Sequence, residues 1–110
     1  MSICIQTFYP DRIISYIVLD EKRIDTIAVC AGSGGSLLRS HKADLWITGE
    51  LSHHEALDAV HSGTSVILCE HSNSERGYLR DVYRDKLSSL LENEVHVEVS
   101  EKDSDPLFVV

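Results

Sequence analysis

His71 and Glu75, inside the stretch CEHSNSERG at 69–77, are the residues of this chain best suited to chemistry. An apolar run at 65–69 ends just before them and a helix-like pattern begins, so both side chains can face the crevice above the carboxyl end of a sheet. That crevice is where open α/β folds hold ligands. An imidazole and a carboxylate are natural donors to a divalent metal, and two donors make part of a site, not a closed one. A plainer reading stands beside this one. Ser72 and Glu75 have capping-box spacing, in which Glu75 would simply satisfy a backbone amide at a helix start.

Other positions carry weaker signals. Gly32, Ser33, Gly34, Gly35 and Ser36 follow a strand-like run and open a helix, so their amides could cradle an anion. The loop lacks the Gly-Lys-Ser/Thr of a P-loop, and Leu37 stands where a dinucleotide fingerprint has its third glycine. A tight turn requiring positive φ explains the glycines equally well. Glu50, at a strand end, is a candidate proton-transfer group or support for a metal ligand. Ser52 and Glu55 form a capping box. His54 and Asp58 lie four apart with His61 a turn further on; Asp58 replaces the second histidine of the helical zinc motif, and a solvated polar face is the simpler reading. Gly77, in the first turn of a helix, costs helix stability and suggests the close approach of another group. Arg76 could pair with a carboxylate or a phosphate, or lie in solvent.

The elements that must position these groups follow from the pattern. Residues 27–30 form a short apolar run, 36–42 a short helix, and 44–48 a second strand closed by Gly49. Residues 52–61 form a helix with Ala56, Leu57, Ala59 and Val60 as its apolar stripe and Gly63 as its stop. The run 65–69 is unalternated, as a strand covered on both faces would be. A long amphipathic helix is expected over about 74–92, with Leu79, Val82, Tyr83, Leu87, Leu90 and Leu91 at three- and four-residue steps. Residues 95–99 (VHVEV) alternate as a half-exposed strand. This order predicts an α/β fold, a largely parallel or mixed sheet with helices on its faces. Residues 1–23 are a weakly patterned leader, strand-like at 3–5 and 13–19, able to form a hairpin or an edge pair; 24–110 is the α/β segment.

Composition narrows the function. At 110 residues the chain is one domain at most. Its net charge of -8 argues against phosphate-backbone binding, which needs clustered Lys and Arg, so no nucleic acid is expected. Cys4, Cys30 and Cys69 are an odd number without CxxC spacing, which points to a reducing, intracellular compartment. The apolar run 13–19 is far too short to span a bilayer, no secretory signal is visible, and no membrane association is expected.

Five ordered segments, IAVCAGSG (27–34), DLWITGE (44–50), SHH (52–54), VILCEHSNSERG (66–77) and SEKDSDPL (100–107), together resemble the C-terminal segment of the NIF-three-like family. The family is also labelled GTP cyclohydrolase type-two homologues, and its eukaryotic branch is the nearer in pattern. The resemblance spans about 24–110. It implies an α/β protein of two similar halves around a dinuclear metal centre, commonly assembled into ring-like oligomers. His71 and Glu75 match the two ligands that the C-terminal half contributes. The other ligands, histidines and an aspartate, belong to an N-terminal half, and residues 1–23 hold no histidine. The site expected here is therefore incomplete, a half-site for a divalent metal of the zinc, manganese or iron type.

The resemblance implies a metal-dependent hydrolase of a small substrate when complete. His71 and Glu75 would be metal ligands, Glu50 a supporting or proton-transfer group, and the loop from Gly32 to Ser36 an anion cradle; GTP chemistry is not carried over from the label. The alternative is a protein-interaction module linked to transcriptional regulation, without catalysis. Self-association, a transcription-related protein partner and a cytoplasmic or nuclear location are expected. A half-fold would also expose apolar surface and a strand edge.

Overall fold

The structure is a computed structural model that describes residues 14–16 and 23–107. The 3–5 segment and Cys4 lie outside the described residues. Two compact units divide the chain, Met1–Glu75 and Arg76–Val110.

Among the described residues, the first unit is built on four strands, β1 (Ile14–Tyr16), β2 (Ile27–Ser33), β3 (Leu45–Glu50) and β4 (Ser65–Leu68), in the spatial order β1-β4-β3-β2. β2, β3 and β4 run parallel, and β1 lies antiparallel along β4, with Ile14 opposite Leu68. The sheet is mixed, as the alternating pattern predicts. The parallel strands are linked by α1 (Gly35–Leu38) and α2 (His53–His61). Side chains alternate across the sheet, and the registers Ala28–Trp46–Val66 and Cys30–Thr48–Leu68 place these residues on one face. That face, with Leu38 from α1 and Ala59 from α2, makes the core. Val66, on a strand paired on both sides, is completely buried. The opposite face carries Ile27, Val29, Ile47 and Ile67; Val29 on the outer strand is 68% exposed, while Ile47 and Ile67 are half-buried.

α2 starts where its capping box requires. Ser52 Oγ accepts from the Glu55 amide at 3.3 Å, and Glu55 Oε2 accepts from the Ser52 amide at 2.9 Å. Each side chain satisfies one of the amides that a helix start leaves unpaired. Gly63 ends the segment at φ +86°. His54, Asp58 and His61 are exposed on α2, which agrees with a solvated face.

Three expectations are corrected. Residues 95–99 form no strand. Alternation specifies extended chain, but a ladder also needs a partner strand, and the local pattern does not supply one. The long helix begins earlier and is not uniform: α3 covers His71–Tyr78, a π-helical stretch Leu79–Tyr83, and α4 Arg84–Leu90. Its start moves back to His71 because Glu70 adopts a left-handed φ of 71° and caps the helix itself: its carbonyl accepts from the Ser74 amide and its Oε2 from the Asn73 amide, each at 3.1 Å. Gly77 has no close neighbour, since a Cβ there would meet nothing within 4 Å.

In the second unit the predicted stripe is largely open, with Leu79, Val82, Tyr83, Leu90 and Leu91 all exposed. Tyr78 and Tyr83 rings lie 6.1 Å apart and the Lys86 ammonium stands 5.7 Å from the Tyr78 ring centre. Arg76 forms an ion pair with Asp103, so of the readings open to it the carboxylate partner is the one found. The hydrogen bond from Arg76, and after it the guanidinium charge, holds the Asp103 carboxyl below its usual range.

Candidate metal half-site

The carboxyl ends of β2, β3 and β4 bring Gly32, Glu50 and His71 together. Glu50 is the last residue of β3 and His71 the first of α3. The left-handed turn at Glu70 redirects the chain between β4 and α3, which aims His71 back over the sheet edge. Its Nδ1 lies 2.9 Å from Glu50 Oε1, and its Nε2 lies 3.4 Å from Glu75 Oε2. One turn of helix separates His71 from Glu75, so the two stand on one face. Ser72 sits inside α3, and Glu75 is turned to His71 and Gly32. The capping-box reading of Ser72 and Glu75 is therefore set aside.

Gly32 closes the site from the β2 side. Its φ is +65°, and a Cβ there would run into the Glu75 carboxylate and lie 3.1 Å from His71 Nε2. The absent side chain leaves the space those groups use. Both backbone groups of Gly32 are engaged: its amide donates to Ser74 Oγ at 2.9 Å, and its carbonyl accepts from the buried Thr48 hydroxyl at 3.2 Å. Ser74 Oγ in turn donates to the His71 carbonyl at 2.8 Å. The strand register shifts between Cys30 and Ser33, which makes room for this inward glycine. Sequence reading missed Ser74 and Thr48. Small hydroxyl residues are too common for spacing to single them out.

The electrostatics favour a cation. The His71 ring holds its proton to higher pH than an ordinary imidazole, chiefly through the hydrogen bond to Glu50 and further through the charges of Glu75, Glu50 and Glu70; partial burial works against this. Two donors about 2.0–2.2 Å from one tetrahedral ion stand about 3.3–3.6 Å apart, and the 3.4 Å between Nε2 and Oε2 fits that spacing. Among the described residues no group of three or more His, Cys, Asp or Glu is disposed to hold a metal. His71 and Glu75 are two candidate donors, one short of such a group.

The remaining candidates do not join them. In the loop from Gly32 to Ser36, the Gly32 amide is taken by Ser74, and the Glu55 carboxylate packs against Gly35. Glu55 also pairs with Arg39 at 2.8 Å. Negative charge thus already lies against the start of α1, and the loop's glycine at 32 is in contact with α3. Cys69 is buried, which pushes its thiol pKa up and leaves it a weak nucleophile.

A mixed α/β sheet with a histidine and a carboxylate converging at the carboxyl edge of its parallel strands defines the class of protein. Within it, the description Duf34/NIF3 (NGG1p interacting factor 3) matches residues 5–106, and the chain belongs to that family. Human NIF3-like protein 1 is 56% identical over 90 residues, which is 82% of this chain and 24% of the human protein. NGG1-interacting factor 3 of Saccharomyces cerevisiae is 47% identical over 93 residues, 82% of this chain and 31% of the yeast protein. The chain thus spans about a quarter to a third of these relatives' length. The crystal structure of a Bacillus cereus protein related to NIF3 superimposes with a TM-score of 0.65 over 87% of this chain and 28% of that one. At 21% identity that likeness speaks for the fold alone. Among the described residues no helix is long and apolar enough to cross a membrane.

Proposed function

We propose that His71 and Glu75 are ligands to a divalent metal of the zinc, manganese or iron type, as part of a site that acts in hydrolysis of a small substrate. The observation that carries this reading is the convergence of Nε2 and Oε2 at 3.4 Å beside a glycine whose missing side chain leaves them room. When bound, the metal supplies Lewis-acid charge to the reaction. This chain's residues hold and orient it: Glu75 contributes negative charge, His71 a neutral nitrogen, and Gly32 with Ser74 keeps the two donors against the strand ends. Two ligands leave most of a coordination sphere to other groups, so a chain with these donors alone binds metal weakly. The test refeeds metal-free chain with zinc or manganese and measures retention by elemental analysis. Wild type should retain more than the His71→Ala, Glu75→Ala double variant, and equal retention would sink the assignment.

A second reading concerns partners. The yeast relative is named for interaction with NGG1, and the exposed Leu79, Val82, Tyr83 and Leu90 offer apolar contact area in the second unit. A transcription-related protein partner, self-association and a cytoplasmic or nuclear setting go with this reading. Pull-down with and without chelator separates the two: binding that survives both chelation and the double variant favours an interaction module.

A further inference from the structure

We propose that Glu50 is a positioning residue: it fixes the proton of His71 on Nδ1 and so presents Nε2, as a lone-pair donor, to the space in front of Glu75. The inference rests on the reading of His71 as a metal ligand and adds which ring nitrogen binds and what selects it. An ionised carboxylate can only accept hydrogen bonds. At 2.9 Å from Glu50 Oε1, Nδ1 must therefore carry the hydrogen. In a neutral imidazole the other nitrogen is then the acceptor, and that nitrogen is Nε2, 3.4 Å from Glu75 Oε2. A lone pair facing a carboxylate oxygen is unfavourable unless positive charge lies between them. A cation bound there removes the repulsion that Glu50 helps to create.

The same geometry assigns Glu50 a role other than ligand or general base. Its oxygen is committed to the ring nitrogen that points away from Glu75. Its place is set by the backbone, since it ends β3 directly after Gly49, and Gly49 packs against the carbonyl of Gly32 and the hydroxyl of Ser74. Carboxylates that accept from the second nitrogen of a metal-bound histidine fix its tautomer and ring orientation, and their loss costs about 10–100-fold in metal affinity.

Long-range proton–nitrogen NMR of the metal-free chain, at a pH where the ring is neutral, tests this without any activity. Wild type should show His71 with its hydrogen on Nδ1. Glu50→Ala should shift it toward the Nε2–H form, and Glu50→Gln, which keeps an oxygen acceptor, should hold the wild-type form. Zinc titration should give an affinity about 10–100-fold weaker for Glu50→Ala, with a smaller loss for Glu50→Gln. An unchanged tautomer in Glu50→Ala overturns the proposal. His71→Ala separates the two levels. If it binds zinc as wild type does, the ligand reading fails. If it loses zinc while Glu50→Ala changes neither tautomer nor affinity, only the positioning role fails.

Discussion

Gly32 and Ser74 lie 42 positions apart, and the amide of one donates to the hydroxyl of the other at 2.9 Å. The same hydroxyl donates to the His71 carbonyl. A single oxygen thus ties the end of β2 to the first turn of α3 and sets how closely Gly32 approaches the two candidate ligands. Ser74→Ala leaves the Gly32 amide without its partner. A part-buried donor left unsatisfied costs about 1–3 kcal/mol, readable as a lower urea midpoint with unchanged slope. Zinc retention should fall in parallel, because the glycine turn is no longer held against the helix.

Two glycines should respond in opposite directions. At Gly32 an alanine must adopt a left-handed backbone, worth about 1–2 kcal/mol, and its methyl would collide with the Glu75 carboxylate. Gly32→Ala should therefore destabilise the chain and abolish zinc retention. At Gly77, inside α3 with open space around it, alanine should stabilise by about 0.5–1 kcal/mol. Denaturant melts of the pair decide the matter; a destabilising Gly77→Ala would show that the glycine answers a contact after all.

The cap of α2 makes a stability prediction with a pH signature. Ser52→Ala should cost about 1 kcal/mol. Glu55 has its carboxyl pKa lowered, first by the Ser52 amide, then by the Ser52 hydroxyl and by Arg39. A depressed folded pKa means that the unfolded chain binds the proton more readily. The stabilisation is therefore present above the ordinary glutamate value, about 4.3, and is lost as pH falls through the lower folded value. Thermal melts of wild type and Glu55→Gln should converge at acid pH and separate toward neutrality.

His71 has the opposite sign. Its folded pKa is raised, chiefly by the hydrogen bond to Glu50, so its contribution is fully present below the ordinary histidine value and disappears as pH rises through the raised one. NMR titration should place the His71 midpoint above that of an unperturbed histidine, and Glu50→Ala should bring it down. Protons should compete with zinc over the same window.

How much of this was legible in the sequence differs by element. The capping box at Ser52 and Glu55 was readable because helix caps are local: four consecutive residues contain every partner. The runs at 27–30, 44–48 and 65–69 marked the parallel strands because each strand puts apolar residues on the face that makes the core. His71 and Glu75 were visible as a pair because one helical turn spaces them. The 95–99 stretch misled, since its alternation is real but pairing depends on a neighbour that the local pattern does not contain.

By itself, then, the sequence determined what neighbouring residues settle among themselves: strand and helix types, the α2 cap, the acidic surface and the identity of the two candidate donors. Tertiary structure alone decided that Glu50 reaches Nδ1 across 21 positions and that Gly32 makes room for Glu75. Those relationships join strand ends brought together by the parallel sheet. Sequence spacing carries no record of such contacts, because the distance between strand ends is fixed by backbone pairing and not by the number of residues in the loops.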